Sequence, residues 1–218
     1  MDILLFGATG DVGSATLQQA IERGHTVTAV ARHPERSGHS GDARVTAVAL
    51  DVLSSADQLA GLARQHQIII SALRPLPGQD ALLVDLTRAV LNAARSAGIP
   101  ALITGGAALL KLADGSGETV LSAPGFLPEA VRPIAEACAA QDQLLDSTPD
   151  VDWTCLRPPA MLHEGPRKGR YAWGTDTLVT DHEGQSQISF ADFGGALMDL
   201  AEQDHRPDKR LTVAWGRA

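Results

Sequence analysis

Only two cysteines, Cys138 and Cys155, occur in 218 residues, too few for a disulfide scaffold or a cysteine-rich zinc site. They suit a reducing, cytoplasmic compartment. Long apolar runs are missing too: none approaches the ~20 residues that a membrane-spanning helix needs. Runs of lysine and arginine are absent, and 18 basic against 26 acidic residues leave a net charge of −8. Nucleic acid and anionic membranes are therefore not expected as partners. No basic stretch with a longer apolar core opens the chain. Asp2 is acidic and Ile3-Leu4-Leu5-Phe6 runs at once into Gly7, so no secretory leader is expected. No repeat, low-complexity tract or linker divides the sequence, and its length suits one domain, 1–218, with a sizeable core.

What is present is an alternation. Strand-length apolar runs (Asp2–Phe6, Thr26–Ala31, Val45–Leu50, Ile68–Ser71, Ala101–Thr104, Trp153–Leu156 and Leu211–Ala214) take turns with helical patterns. The helices are expected over Val12–Arg23, Gln58–Arg64, Asp80–Ala97, Pro128–Asp146 and Ala191–Glu202. Gly24 and Gly98 are natural left-handed stops. Ile68-Ile69-Ile70 is apolar without alternation, as a sheet covered on both faces requires. Strand and helix in turn imply parallel pairing by right-handed crossovers, hence a doubly wound α/β fold with a mostly parallel sheet and helices on both faces. Two irregular stretches, 105–127 and 158–189, follow the ends of strands. Open α/β sheets place ligands there, so both are expected to form substrate walls.

Gly7-Ala8-Thr9-Gly10-Asp11-Val12-Gly13 joins the first strand to the first helix. A glycine pattern alone is weak evidence, but this context is the one that a dinucleotide site demands. Gly7 permits a tight turn, Gly10 lets the backbone approach a pyrophosphate, and Gly13 lets helix and strands pack closely. The helix N-terminus offers unpaired N–H groups to phosphate. At the end of the second strand no carboxylate stands before Glu35; Arg32 lies there instead, 19 residues beyond Gly13. A guanidinium suits a 2′-phosphate through charge-assisted bonds, so NADP(H) is favoured over NAD(H). An arginine stacked on adenine, or merely solvated, is the alternative.

With these residues and several further stretches, the sequence resembles the atypical short-chain dehydrogenase/reductase superfamily with its Rossmann-like fold. The similarity is greatest to the NADH-flavin reductase group, and more distant to biliverdin reductase B. Further matching stretches are Asp51-Val52, Ser71-Ala72-Leu73, Asp152–Pro159, Gly169-Arg170-Tyr171 and Ile188–Phe193. The resemblance implies that Gly7, Thr9, Gly10, Asp11, Val12 and Gly13 cradle the dinucleotide. It also implies that Asp51 and Val52 flank the adenine, that Ser71, Ala72 and Leu73 lie along the inner ribose, and that Thr104 and Pro159 approach the nicotinamide. His163 and Tyr171, in the 158–189 loop, are candidate substrate contacts. Each residue has a plainer reading: Asp51 can cap a turn, Ser71 can end a strand, and Ser189 to Asp192 reads first as a helix capping box.

The Tyr-x-x-x-Lys pair that many short-chain dehydrogenases use for proton transfer is absent. The single tyrosine is Tyr171, and position 175 is threonine. Gly105-Gly106-Ala107 stands where related groups often carry serine, and Ala160 stands where the biliverdin reductase group has histidine. No His/Asp/Glu spacing suggests a metal. The expected activity is NAD(P)H-dependent reduction of a flavin or quinone-like acceptor, which takes hydride while solvent supplies the proton. The rival expectation is a non-catalytic dinucleotide sensor like the NmrA-type regulators. An epimerase-like enzyme acting on a nucleotide sugar is a third.

Overall fold

In the computed structural model, which describes residues 1–39, 41–204, 206 and 208–216, the two most apolar runs lie at the centre. These are β1 (Asp2–Phe6) and β4 (Ile68–Ser71), which pair in parallel. On one side of β1 follow β2 (Thr26–Ala31) and β3 (Val45–Ala49). On the other side of β4 follow β5 (Ala101–Thr104), β6 (Trp153–Arg157), β10 (Arg210–Ala214) and β8 (Ala172–Gly174). The order β3-β2-β1-β4-β5-β6-β10-β8 is parallel except for β8, which runs against β10. The chain thus changes direction between β1 and β4, where an open sheet forms its ligand crevice.

Two helical layers cover the sheet. The helices α1 (Asp11–Glu22) and α5 (Phe190–Ala201) bury Leu17, Ile21, Phe193 and Leu197 against Ile3, Leu5 and Val27 on one face. On the other face α2 (Ala56–Ala63), α3 (Leu82–Ala97) and α4 (Arg132–Asp146) bury Leu59, Val90, Leu91 and Leu145 against Leu4, Phe6, Ile69 and Ile103. Strands buried on both sides need apolar residues at every position, which is why β1 and β4 do not alternate. The edge strand β3 is the exception, with three of its five residues exposed.

The helices α1 and α5 touch backbone to backbone. A Cβ on Gly194 would lie 2.8 Å from Ala15 C and from Thr16 N, so this crossing requires glycine. The 158–189 stretch, expected to be irregular, contains β8 and also β7 (Met161–His163) and β9 (Gln187–Ser189), which form a separate parallel pair. Three-residue strands are too short to show a period. The 105–127 stretch is stitched to the 176–178 segment: Lys111 N–H donates to Asp176 O at 2.8 Å and Leu178 N–H donates to Lys111 O at 2.9 Å. Leu110, Val120 and Leu178 form a small buried cluster beneath it.

Candidate dinucleotide site

The glycines of the first turn divide by what surrounds them. Gly7 has φ +78°, and a Cβ there would lie 2.5 Å from Ala72 O. A Cβ on Gly13 would fall 2.0 Å from Gly7 O. Both positions are closed by the protein itself. Gly10 differs: its φ of −82° suits any residue, and the nearest protein atom to an added Cβ is Gly7 O at 3.5 Å. The fold does not need glycine here, so the space above Gly10 is free for a ligand. Gly10 is also the N-cap of α1, and no side chain caps the helix. First-turn N–H groups left without a side-chain acceptor make a helix N-terminus an anion site.

A cleft of about 370 Å³ opens beside this turn. Of the residues expected around a dinucleotide, Gly7, Thr9, Gly10, Arg32, Asp51, Val52, Ala72 and Leu73 line it. Val30, Leu50, Leu82 and Leu86 supply apolar wall, as a flat base between strand ends and a helix requires. Asp11, Val12 and Gly13 form the first turn of α1 next to the cleft and do not line it. Ser71 is buried at the end of β4 between Phe6 and Ile103. Asp51 does both things read for it: it lines the cleft and accepts Leu53 N–H at 2.9 Å, an Asx-type turn.

Two guanidinium groups reach the cleft. Arg32 and Arg74 both line it, and neither has a hydrogen bond or ion pair among the described residues. Arg74 is absent from the sequence-based set, as is Gln79. The available signal was a basic residue one step past Leu73, beyond a central strand. Against these two cations the only carboxylate on the lining, among the described residues, is Asp51, which favours an anionic ligand.

Thr104 and Pro159 lie outside this lining, at the ends of the neighbouring strands β5 and β6. The Thr104 hydroxyl is buried without a partner among the described residues, while its carbonyl accepts Gln141 Nε2–H at 3.4 Å. The helix that faces this end, α4, carries neither tyrosine nor lysine.

The two expected substrate contacts go elsewhere. His163 sits in β7 opposite Ser189, with Nδ1 2.7 Å from Glu164 O and its ring edge-on to Trp215. Its Nε2 is buried and unpaired among the described residues. It is not on the cleft. Tyr171 is held at α5. Its hydroxyl donates to Asp199 on α5, and Asp199 in turn holds Arg23 at 2.8 Å, at the C-terminal end of α1. The twelve residues of α1 separate that end from Gly10 by ~18 Å. Burial, reinforced by the Asp199 carboxylate, pushes the phenol above its ordinary pKa. Tyr171 thus anchors its loop to α5 and does not join the cleft.

The capping box at α5 is half formed. Ser189 Oγ accepts Asp192 N–H at 3.1 Å, but the Asp192 carboxylate turns away from the cap. Fully buried, it accepts Lys168 N–H at 2.9 Å, Gly169 N–H at 2.8 Å and Trp215 Nε1–H at 2.6 Å. Three donors satisfy a buried anion, and they fasten the 165–171 loop to α5. Among the described residues no group of His, Cys, Asp or Glu could hold a metal ion, and no helix is long and apolar enough to cross a membrane.

Glycine turn, uncapped helix and cationic crevice at the change of chain direction together mark a nucleotide site in a Rossmann-like fold. The chain belongs to the NAD(P)H-binding family, whose family model matches residues 7–204. Three solved structures are similar over nearly the whole length. An exported protein, provisionally so assigned, from Burkholderia pseudomallei is 32% identical, with 99% of this chain and 100% of that chain covered and a TM-score of 0.85. A provisionally assigned epimerase from Bacteroides thetaiotaomicron is 30% identical, covering 100% and 98%, with a TM-score of 0.88. A provisionally assigned NADH-flavin reductase from Streptococcus pneumoniae is 25% identical, covering 99% of each chain, with a TM-score of 0.83.

Proposed function

We propose that the protein is an NAD(P)H-dependent reductase, working with NADP(H) in preference to NAD(H) and passing hydride to a flavin or quinone-like aromatic. The observation that carries this reading is the commitment of the one tyrosine to Asp199, together with an α4 that has no tyrosine or lysine. No Tyr-Lys pair is then at hand to protonate an alkoxide, which disfavours carbonyl reduction and epimerisation by that route. An aromatic acceptor needs only hydride and draws its proton from solvent. The relationship to the Streptococcus pneumoniae protein points the same way.

On this reading the dinucleotide supplies the hydride, and the chain supplies orientation. The open face of Gly10 and the uncapped start of α1 hold the pyrophosphate. Leu82 and Leu86 back the adenine, and Arg32 and Arg74 take the 2′-phosphate side. Thr104 at the end of β5 and Pro159 just past β6, both beyond the cleft, carry the nicotinamide end toward the acceptor. The working compartment is the reducing cytoplasm, in which Cys138 and Cys155 stay thiols, and the whole chain acts as one domain. The test is NADPH oxidation followed against flavin mononucleotide, riboflavin and a small quinone. Turnover with at least one of them supports the reading; NADP⁺ binding with no turnover on any of them defeats it.

A further inference from the structure

On the acceptor side, three segments converge on one buried arginine at the end of β6. Arg157 is the last residue of β6, directly before Pro158-Pro159, and is only 5% exposed. Its Nη2 donates to Asp142 on α4 at 2.6 Å. Its Nη1 lies 3.9 Å from the Asp176 carboxylate in the segment after β8. A Cβ on Gly105, in the segment after β5, would lie 3.4 Å from Arg157 Cγ. Asp176 is in turn the residue whose carbonyl holds Lys111 N–H, and Leu178 N–H holds Lys111 O.

Charge balance shows that this arginine is not needed to satisfy its partner. Arg210 Nε already donates to both Asp142 oxygens, at 3.1 and 3.2 Å, and its Nη2 donates to Asp142 O and Asp146. Deleting one partner of a buried pair is costly because it strands the other charge. Here Asp142 would keep Arg210. The usual cost of removing one partner, a stranded buried charge, is thus absent at Asp142, so pairing with Asp142 alone does not account for a charged group at 157.

We propose that Arg157 is a positioning residue for the acceptor: held by Asp142, it sets the wall formed by Gly105-Gly106, Pro158-Pro159 and the 176–178 segment, and through Asp176 the loop 105–127. The inference rests on the reductase reading for what the wall contacts, but its first readout does not need turnover.

The experiment uses the full chain saturated with NADP⁺, as parent, Arg157→Met, Arg157→Lys and Asp176→Asn. Amide exchange is followed at Lys111 and Leu178 and at the core strands β1 and β4. In Arg157→Met, exchange at Lys111 and Leu178 should rise tenfold or more while β1 and β4 keep the parent's protection and the NADPH Kd stays within twofold. The acceptor KM should rise at least tenfold with kcat changed less than threefold, and Arg157→Lys should recover part of that loss. Unchanged exchange at Lys111 and Leu178, or protection lost evenly across the sheet, overturns the proposal. If Arg157→Met fails to fold, the exposed substitution Asp176→Asn decides: the same two amides must loosen, and parent-like exchange overturns it. If the parent shows no turnover with any acceptor, the reductase reading fails by itself, and the amide readout still decides the role of Arg157.

Discussion

Gly10 and Gly13 look alike in the sequence, yet the structure assigns them opposite consequences. For Gly10→Val, the backbone is already at φ −82° and the nearest protein atom to the new Cβ is 3.5 Å away. The folding stability should therefore fall by only ~0.5–1 kcal/mol, the cost of a poor N-cap residue without an added clash. Binding is another matter. A hydrogen bond to a charged group is worth ~1.5–3 kcal/mol, and the new side chain would displace the pyrophosphate from about two helix N–H donors. The loss of ~3–6 kcal/mol corresponds to roughly a hundredfold to ten-thousandfold in Kd at ~1.4 kcal/mol per decade. Gly13→Ala should do the reverse, since its Cβ would fall 2.0 Å from Gly7 O. Overpacking of this kind costs ~1–3 kcal/mol or more, so the melting temperature should drop. Scanning calorimetry and titration calorimetry with NADP⁺ read the two effects separately. A Gly10→Val protein that binds NADP⁺ as tightly as the parent would refute the assignment of this loop.

Arg32→Asp should invert the preference between NADPH and NADH, because a carboxylate repels the 2′-phosphate and accepts free ribose hydroxyls; an unchanged ratio of Kd values at fixed low salt removes Arg32 from that role. Arg74→Ala should weaken NADPH about tenfold or more by loss of one charge-assisted contact of ~1.5–3 kcal/mol, and equal titration curves for variant and parent would show that Arg74 contacts no phosphate. Tyr171→Phe should leave NADPH oxidation within threefold while lowering stability by ~1.5–3 kcal/mol, since its hydroxyl serves Asp199; a rate loss of ~10³ would instead identify a general acid. Gly194→Ala should lower the melting temperature by separating α1 from α5, whose backbones would stand 2.8 Å from the new methyl; a melting curve identical to the parent's would contradict that crossing.

The parts of the fold legible in the sequence are those fixed by burial on both faces or by local backbone demands. Asp2–Phe6 and Ile68–Ser71 lie where their unbroken apolar runs put them, and the Gly7–Gly13 turn joins β1 to α1. Most boundaries moved by one or two residues, and the helix expected from Pro128 starts at Arg132 because a 3-10 turn over Glu129–Val131 precedes it. Asp80 and Ala81 form a turn before α3, and β6 continues to Arg157 because that residue pairs with Thr212 of β10. Within the site, residues on strand ends that face the crevice were readable because the strand carries them there. Arg74 was missed because it stands one residue past the matching stretch. The Tyr171–Asp199 contact was not legible because a loop residue points wherever a tertiary partner holds it, and Asp199 lies 28 positions away in sequence. The glycine at 194 gave no local sign, since its cause is the neighbouring helix.

Steady-state NADPH oxidation in the presence of flavin mononucleotide, with riboflavin and a small quinone in parallel, tests the central claim most directly. The account predicts acceptor-dependent loss of NADPH absorbance that saturates with acceptor, runs faster with NADPH than with NADH, and disappears in Gly10→Val. Tight NADP⁺ binding by the parent with no oxidation above background on any acceptor would contradict it and leave a dinucleotide sensor in its place.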